Sequence, residues 1–253
     1  MKLEGKVAIV TGAGSGIGRA IALGFAREGA SIAVADINMT SAAETVSQIE
    51  AYDRGKGIAV KLDIAKIEDN QQMVDETVKA FGRVDILVNN AGLRNQGSLF
   101  NCTPEIWEHA VDGNLRGLFW AMKAVTPIMI KQGMGKIINI SSLQGVRQCN
   151  PDRTAYCSTK TGLISLTRAA AVELGPYNIC VNAISPGTIE TNMGGLTTLF
   201  TPEVIAERCK YIPLRYRAKP EALIGPALFL ASDDSDYVTG INMVVDGGWC
   251  ASD

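Results

Sequence analysis

Short apolar runs rich in β-branched residues alternate with helical stretches along the whole chain, and this alternation leaves few folds open. Lys6–Thr11, Ser31–Ala35, Gly57–Leu62, Val84–Val88, Lys136–Ile140, Ile179–Ile184 and Ile241–Val245 read as strands. Residues 17–28, 40–51, 67–81, 103–131, 155–174 and 220–231 read as helices, with a shorter one opening at Thr201-Pro202-Glu203. Thr103-Pro104-Glu105 has the order of a helix start: a capping hydroxyl, a proline in the first turn and an acid near the positive helix end. Pro127 predicts a kink in that helix. Strands returned by helices of this length build a parallel sheet covered on both faces. The expected fold is therefore α/β, a single-domain, Rossmann-type doubly wound parallel sheet of about seven strands flanked by helices. A chain of 253 residues suits one such unit over 1–253, with 188–215 as a substrate loop or lid.

Composition removes several function classes. Hydrophobic residues make up 47% and charged residues 20%, and the net charge is −2; neither a nucleic-acid surface nor an anionic-membrane patch is expected. No apolar run reaches the roughly 18 residues of a membrane span. The N-terminal residues lack the pattern of a signal peptide, so a cytoplasmic protein is expected. The six cysteines include no CxxC pair and read as free thiols in a reducing compartment; no metal site is expected. His109, the only histidine, reads as a helix-surface or packing residue.

Ligands of parallel α/β sheets bind outside the carboxyl ends of the strands. The unusual residues of this chain gather there: Gly12–Gly18 after the first strand, Asp36 after the second, Asp63 after the third, Asn89–Gly92 after the fourth, Ser141 and Ser142 after the fifth, Pro186 and Gly187 after the sixth. In the first turn Gly12, Gly16 and Gly18, with Ser15 and Ile17 between them, let the backbone approach a pyrophosphate, while the following helix offers free N–H groups to it. The spacing differs from G-x-G-x-x-G. Asp36, beside Ile37, can accept hydrogen bonds from an adenosine ribose and would repel a 2′-phosphate. NAD is expected over NADP, with Arg19 pointing away.

Six motifs in order carry a family resemblance: Thr11-Gly-x-x-x-Gly16-x-Gly18, Asn89-Asn90-Ala91-Gly92, Gly113-Asn114-Leu115, Ser142, Tyr156-x-x-x-Lys160 and Pro186-Gly187-x-Ile189-x-Thr191. Over essentially its full length the chain resembles the short-chain dehydrogenase/reductase family. The resemblance implies hydride transfer between an alcohol or ketone and NAD, with Asn114, Ser142, Tyr156 and Lys160 as catalytic residues. Their chemistry is coherent in itself. Tyr156 and Lys160, four apart, share a helix face. A tyrosine with a pKa of about 10 is a poor base at neutral pH, and a nearby ammonium favours the phenolate. Ser142 would hydrogen-bond the substrate oxygen, and Asn114 would hold a water that relays the proton from Lys160. Ser142 stands fourteen positions before Tyr156, where many relatives have thirteen; one extra residue in 146–154 explains this, with Ser141 the alternative. The resemblance also implies that Lys160 holds the nicotinamide ribose. Asp63 and Ile64 would lie at the adenine, and Asn90, Ala91 and Gly92 along the cofactor. Pro186, Gly187, Ile189 and Thr191 would lie at the nicotinamide, with Thr188 in reach. Asn89 would be a cofactor neighbour or a cross-link between strands.

The substrate loops hold Arg94, Asn95, Gln96, Gln144, Arg147, Gln148 and Arg153, a polar and partly cationic set that with Ser142 and Tyr156 favours a polyol, sugar or hydroxy acid. Met193, Leu196, Leu199 and Phe200 form a mobile lid or ordinary packing. A 3-oxoacyl-(acyl-carrier-protein) reductase or a hydroxysteroid dehydrogenase is the alternative within the family. A non-catalytic nucleotide sensor and a lyase or epimerase are the rivals outside that chemistry. The expected assembly is a homotetramer, since the C-terminal segment and the two long helices form subunit interfaces in relatives.

Overall fold

The computed structural model describes residues 1–52, 55–93, 97–147, 151–191 and 201–252. Its seven strands are β1 (Val7–Thr11), β2 (Ser31–Asp36), β3 (Lys56–Lys61), β4 (Ile86–Asn89), β5 (Gly135–Ile140), β6 (Ile179–Pro186) and β7 (Asn242–Val245). They form one sheet in the order β3-β2-β1-β4-β5-β6-β7, and every pairing is parallel. The helices are α1 (Gly16–Arg27), α2 (Met39–Glu50), α3 (Ile67–Phe81), α4 (Pro104–Val111), α5 (Gly117–Gln132), α6 (Thr154–Leu174), α7 (Pro202–Cys209) and α8 (Ile224–Ala231). The doubly wound parallel sheet expected from the alternation is the architecture found. No described helix is long and apolar enough to cross a membrane.

Period-two alternation divides each strand between two cores. Ala8 and Val10 of β1 point into one, with Phe25 of α1 and Leu230 of α8. Ile9 points into the other, with Leu118 and Val125 of α5 and Leu163 of α6. Because both faces are covered, β1, β4, β5 and β6 are buried along their whole length.

One expectation is corrected. The stretch from 103 to 131 is not one helix: a π-turn, Asp112–Arg116, separates α4 from α5. Pro127, where a kink was expected, lies inside the helical run of α5. Gly113 and Gly117 show why the chain departs from α-geometry here. A Cβ at Gly113 would stand 2.4 Å from Leu93 Cδ1, and one at Gly117 2.2 Å from the Ile64 carbonyl oxygen. The wider turn thus packs against the loops that follow β3 and β4.

Asn89 is a cross-link between strands. Its Nδ2 donates to Asn139 Oδ1 on β5 at 2.9 Å, and Asn139 Nδ2 donates to Thr167 Oγ1 on α6 at 3.0 Å. All three residues are buried, so this chain of hydrogen bonds fixes α6 against the centre of the sheet. Asn139→Leu removes the acceptor of one Asn89 N–H, the Leu118 carbonyl remaining at 3.3 Å, along with the donor to Thr167, and should lower unfolding free energy by about 2 kcal/mol, read as a lower denaturant midpoint with an unchanged m-value.

Candidate active site

The carboxyl end of β5 and the first turns of α6 are clamped together. Lys160 Nζ donates to the Ile140 carbonyl at 2.9 Å, Ser141 Oγ donates to the Lys160 carbonyl at 2.8 Å, and Thr161 Oγ1 donates to the Gly145 carbonyl at 3.1 Å. The clamp separates the two serines. Ser141 is buried, with its hydroxyl used by Lys160. Ser142 is half-buried, caps the 3₁₀ turn Leu143–Gly145, and accepts from the Gln144 N–H at 3.2 Å. Tyr156 and Lys160 lie one turn apart on α6, with Nζ 5.9 Å from the phenol ring centre. Lys160 is only 4% exposed, and burial pushes its ammonium down to about 8.

Asn114 sits in the π-turn and is fully buried. Its Oδ1 accepts from the Leu93 N–H at 2.8 Å and its Nδ2 donates to the Leu93 carbonyl at 2.9 Å. An amide has two donors and two lone pairs, so one of each remains. A Cβ on Gly92 would meet Asn114 Oδ1 at 2.9 Å and Lys160 Nζ at 3.5 Å; both polar atoms flank this one glycine.

Ser142, Tyr156, Lys160 and Asn114 border a single cavity, together with Gln144, Pro186, Gly187, Thr188 and Ile189. A second cavity adjoins it, since Ile17, Asn90, Gly92, Leu93 and Thr191 border both. That second cavity runs past Gly12, Ser15 and Gly16 to Asp36 and Ile37 on one side, and to Asp63, Ile64 and Ala91 on the other. Gly12 and Gly16 hold positive φ. Gly18 supports the turn from beneath: a Cβ there would stand 2.3 Å from the Gly12 carbonyl oxygen. Asp36 Oδ2 accepts from the Gly14 N–H and Oδ1 from the Asn38 N–H, both at 2.8 Å. Asn90 staples the same turn, Nδ2 donating to the Thr11 and Gly12 carbonyls. Arg19 is tied to Thr45, Glu44 and the Ser41 carbonyl and does not border the cavity. This elongated cleft, floored by a glycine turn that side chains would fill, fits a dinucleotide.

Among the described residues, the tentative substrate residue Arg147 does not border the first cavity. Arg94 lies outside the described residues, as do Met193, Leu196, Leu199 and Phe200 of the expected lid. Arg147 turns to the C-terminal segment, donating to the carbonyls of Cys250 at 2.9 Å, Trp249 at 3.3 Å and Ser252. Arg153 of the expected substrate loops borders the first cavity, as do Arg208 and Trp249, which were not singled out from the sequence, while His109, read as a surface or packing residue, borders the second. Arg153 carried a signal, standing three residues before Tyr156. Arg208, Trp249 and His109 reach the clefts only through the fold.

Gly92→Ala should push Asn114 and Lys160 apart and reduce turnover by about 100-fold or more, the scale of a misplaced catalytic group, with little change in the melting temperature. Burial of the Lys160 ammonium has a further consequence. Between about 8 and its ordinary value of 10.5 the unfolded chain keeps a proton that the folded protein has lost, so stability from this position rises with pH. Unfolding free energies of the protein without dinucleotide, minus those of Lys160→Met, should increase across that window by up to about 3 kcal/mol; a flat difference would mean a well-solvated ammonium.

A family model described as enoyl-(acyl carrier protein) reductase matches residues 12–250. The 3-oxoacyl-(acyl-carrier-protein) reductase FabG of Thermotoga maritima is 41% identical over 249 residues, covering 98% of this chain and 99% of the relative. A gluconate 5-dehydrogenase from Burkholderia cenocepacia, solved with NADP and tartrate, superposes with a TM-score of 0.93 at 33% identity, over 100% of this chain and 98% of the other. A 7α-hydroxysteroid dehydrogenase solved with NADH and 7-oxoglycochenodeoxycholic acid gives 0.93 at 36% identity, over 98% and 95%. With the six motifs meeting on one rim and these full-length likenesses, the chain belongs to the short-chain dehydrogenase/reductase family of oxidoreductases.

Proposed function

We propose that the protein is an NAD-dependent oxidoreductase that interconverts a secondary alcohol and its ketone, with Tyr156 as the general base and acid. One observation carries the reading: Ser142, Tyr156, Lys160 and Asn114 line one cavity that opens into a glycine-floored cleft ending at Asp36. A bound nicotinamide would supply a hydride acceptor for the carbinol carbon in oxidation and a hydride donor for the carbonyl carbon in reduction. Tyr156 takes the hydroxyl proton during oxidation and gives it back during reduction. Ser142 donates its hydroxyl hydrogen to the substrate oxygen and holds it as the C–O bond order changes. Lys160, protonated in most molecules at neutral pH given a value near 8, stabilises the phenolate. Its remaining N–H groups serve the ribose and a proton path towards Asn114, whose spare lone pair can hold a water. Pro186, Gly187, Ile189 and Thr191 enclose the nicotinamide side, Asp63 and Ile64 the adenine side, and Asn90, Ala91 and Gly92 the stretch between.

Asp36 favours NAD. Its carboxylate borders the cleft and would meet a 2′-phosphate with like charge, while Arg19, bound to the Gly14 carbonyl, Thr45 and Glu44, does not line the cleft. Solved relatives differ, one carrying NADH and others NADP, so this residue and not the fold decides. The substrate is a polyol, sugar or hydroxy acid, in keeping with the hydroxyl, amide and cationic side chains that border the first cavity and with the gluconate 5-dehydrogenase likeness. Acyl-carrier-protein ketoreduction is the second reading, favoured by the FabG relatives. The working form is a homotetramer in the cytoplasm. Exposed Trp107 and Phe119 around α4 and α5, and Tyr237 and Ile241 before β7, offer apolar area for two interfaces.

Tyr156→Phe should retain NADH binding yet lose about 100- to 10,000-fold in kcat, followed as NADH formation across a panel of alcohols; an active variant would remove Tyr156 from the chemistry. Asp36→Asn, which keeps an acceptor for Gly14, should narrow the kcat/KM preference for NAD over NADP by about tenfold, ~1.4 kcal/mol of relieved repulsion. A light-scattering mass of a single subunit would dismiss the tetramer.

A further inference from the structure

Among the described residues that border the first cavity, one aromatic ring accompanies Tyr156: the indole of Trp249. The proposed proton and hydride steps have no use for it. Tyr156 and Ser142 engage the reacting oxygen, which leaves open what holds the rest of the molecule.

Trp249 opens the 3₁₀ turn Trp249–Ala251 that follows β7. So short a turn has little stability of its own, and the place of the ring depends on what grips it. Asp246 accepts from the Gly248 N–H at 2.8 Å and from the Cys250 N–H at 2.6 Å. Ser252 Oγ donates towards the carbonyls of Trp249 at 2.9 Å and Tyr211 at 3.3 Å. The indole also stacks on the Tyr211 ring, with centres 6.4 Å apart and planes 13° from parallel. The remaining grip comes from Arg147, which donates to the carbonyls of Trp249, Cys250 and Ser252.

Arg147 ties this turn to the reacting end of the cavity. The N–H groups of Val146 and Arg147 both donate to the Leu143 carbonyl, at 3.0 and 3.1 Å, and Leu143 opens the turn that Ser142 caps. One end of Arg147 is thus fixed to the residue after Ser142, and the other end holds the carbonyl of Trp249. A guanidinium suits the task, since its planar fork of donors can hold several carbonyls at once, as a flexible ammonium cannot. An indole offers about 150–250 Å² of largely apolar surface, and what it meets best in a cavity is carbon. Polyols, sugars and hydroxy acids present C–H groups between their oxygens.

We infer that Trp249 determines substrate specificity by carrying the C–H face of the carbons beyond the reacting one, and that Arg147 is the residue that positions it. The inference rests on the alcohol–ketone reading above and deepens it: the chain favoured is one long enough to reach from Ser142 to the indole.

A comparison of long and short substrates tests this on the full-length protein, with sorbitol against glycerol and gluconate against glycerate as the pairs. Trp249→Ala should lower the kcat/KM ratio of the long over the short member by about tenfold, ~1.4 kcal/mol, mainly through KM, as expected when binding remote from the reacting carbon is removed. Arg147→Ala should lower the same ratio by a smaller factor, with Arg147→Lys recovering part of it. Arg147 is exposed, so its variants answer the question even if Trp249→Ala does not fold. Equal losses for long and short members overturn the inference, because general damage to the fold spares neither.

A second readout needs no turnover. Fluorescence measured as the difference from Trp249→Phe isolates this ring from Trp107 and Trp120. Sorbitol or gluconate, added with NADH so that no hydride can pass, should shield the ring from acrylamide at least about twofold. Arg147→Ala should leave it more open to acrylamide than in the parent protein. Shielding by neither probe overturns the assignment of Trp249, and unchanged quenching in Arg147→Ala overturns that of Arg147. Failure of the alcohol–ketone reading looks different: no NADH is formed from any alcohol, and the quenching measurements then decide the role of Trp249 by themselves.

Discussion

Two hydrogen bonds of opposite sense join β5 to a single residue of α6: the Lys160 ammonium donates to the Ile140 carbonyl, and the Ser141 hydroxyl donates to the Lys160 carbonyl. They set the height of the helix above the strand end. Tyr156 is one turn away on that helix, and Ser142 is the next residue along the chain from Ser141. Slippage of α6 by one residue would turn Tyr156 about 100° away from the cleft, because that is the angular step of an α-helix. The buried triad of Asn89, Asn139 and Thr167 lies deeper along the same contact and resists the same slippage. Chemistry at this site therefore rests on polar groups withdrawn from water, whose geometry is enforced by the cost of leaving any of them unpaired.

The burial that organises the site also tunes it. Lys160 has three donors and uses one on Ile140. Its enclosure holds the ammonium near 8, close to the range where proton transfer to and from a side chain is efficient. A surface lysine would carry the same formal charge but would be screened by water and salt, and would do little for a phenol about 6 Å away. Depth is therefore part of its role.

Sequence patterning made the sheet and its rim legible because period-two runs and glycine turns are local signals. Gly12, Asp36, Asp63, Asn90 and Ser142 could be placed on one edge from chain order alone, since parallel strands bring their carboxyl ends together; Tyr156 and Lys160 joined them through the family resemblance. The π-turn at Asp112–Arg116 was not legible: apolar spacing on either side reads as one helix, and the reason for the wider turn lies in Leu93 and Ile64, distant in sequence from Gly113 and Gly117. The partners of Arg147 were not legible either, because a loop arginine gives no hint of them. Its carbonyl acceptors are about 100 residues away, and long-range pairings of this kind are settled by packing. Arg208 and Trp249 reach the cavity for the same reason, carried there by segments that fold back over it.

The π-turn has one more implication. A ring closed from residue i to i+5 contains one residue more than the ordinary helical ring, so α4 and α5 are two helices in phase with a single supernumerary residue between them. Shortening the chain by one amino acid at this point would let the helical ladder close without rotating α5 against the sheet. Elsewhere in a helix such a deletion swings every later side chain around the axis. Here the framework would absorb it, and the casualty would be the inward bulge that carries Asn114 to the Gly92 backbone. The fold thus keeps the position proposed for proton relay on a spare residue of its backbone, free to be altered without rebuilding the scaffold.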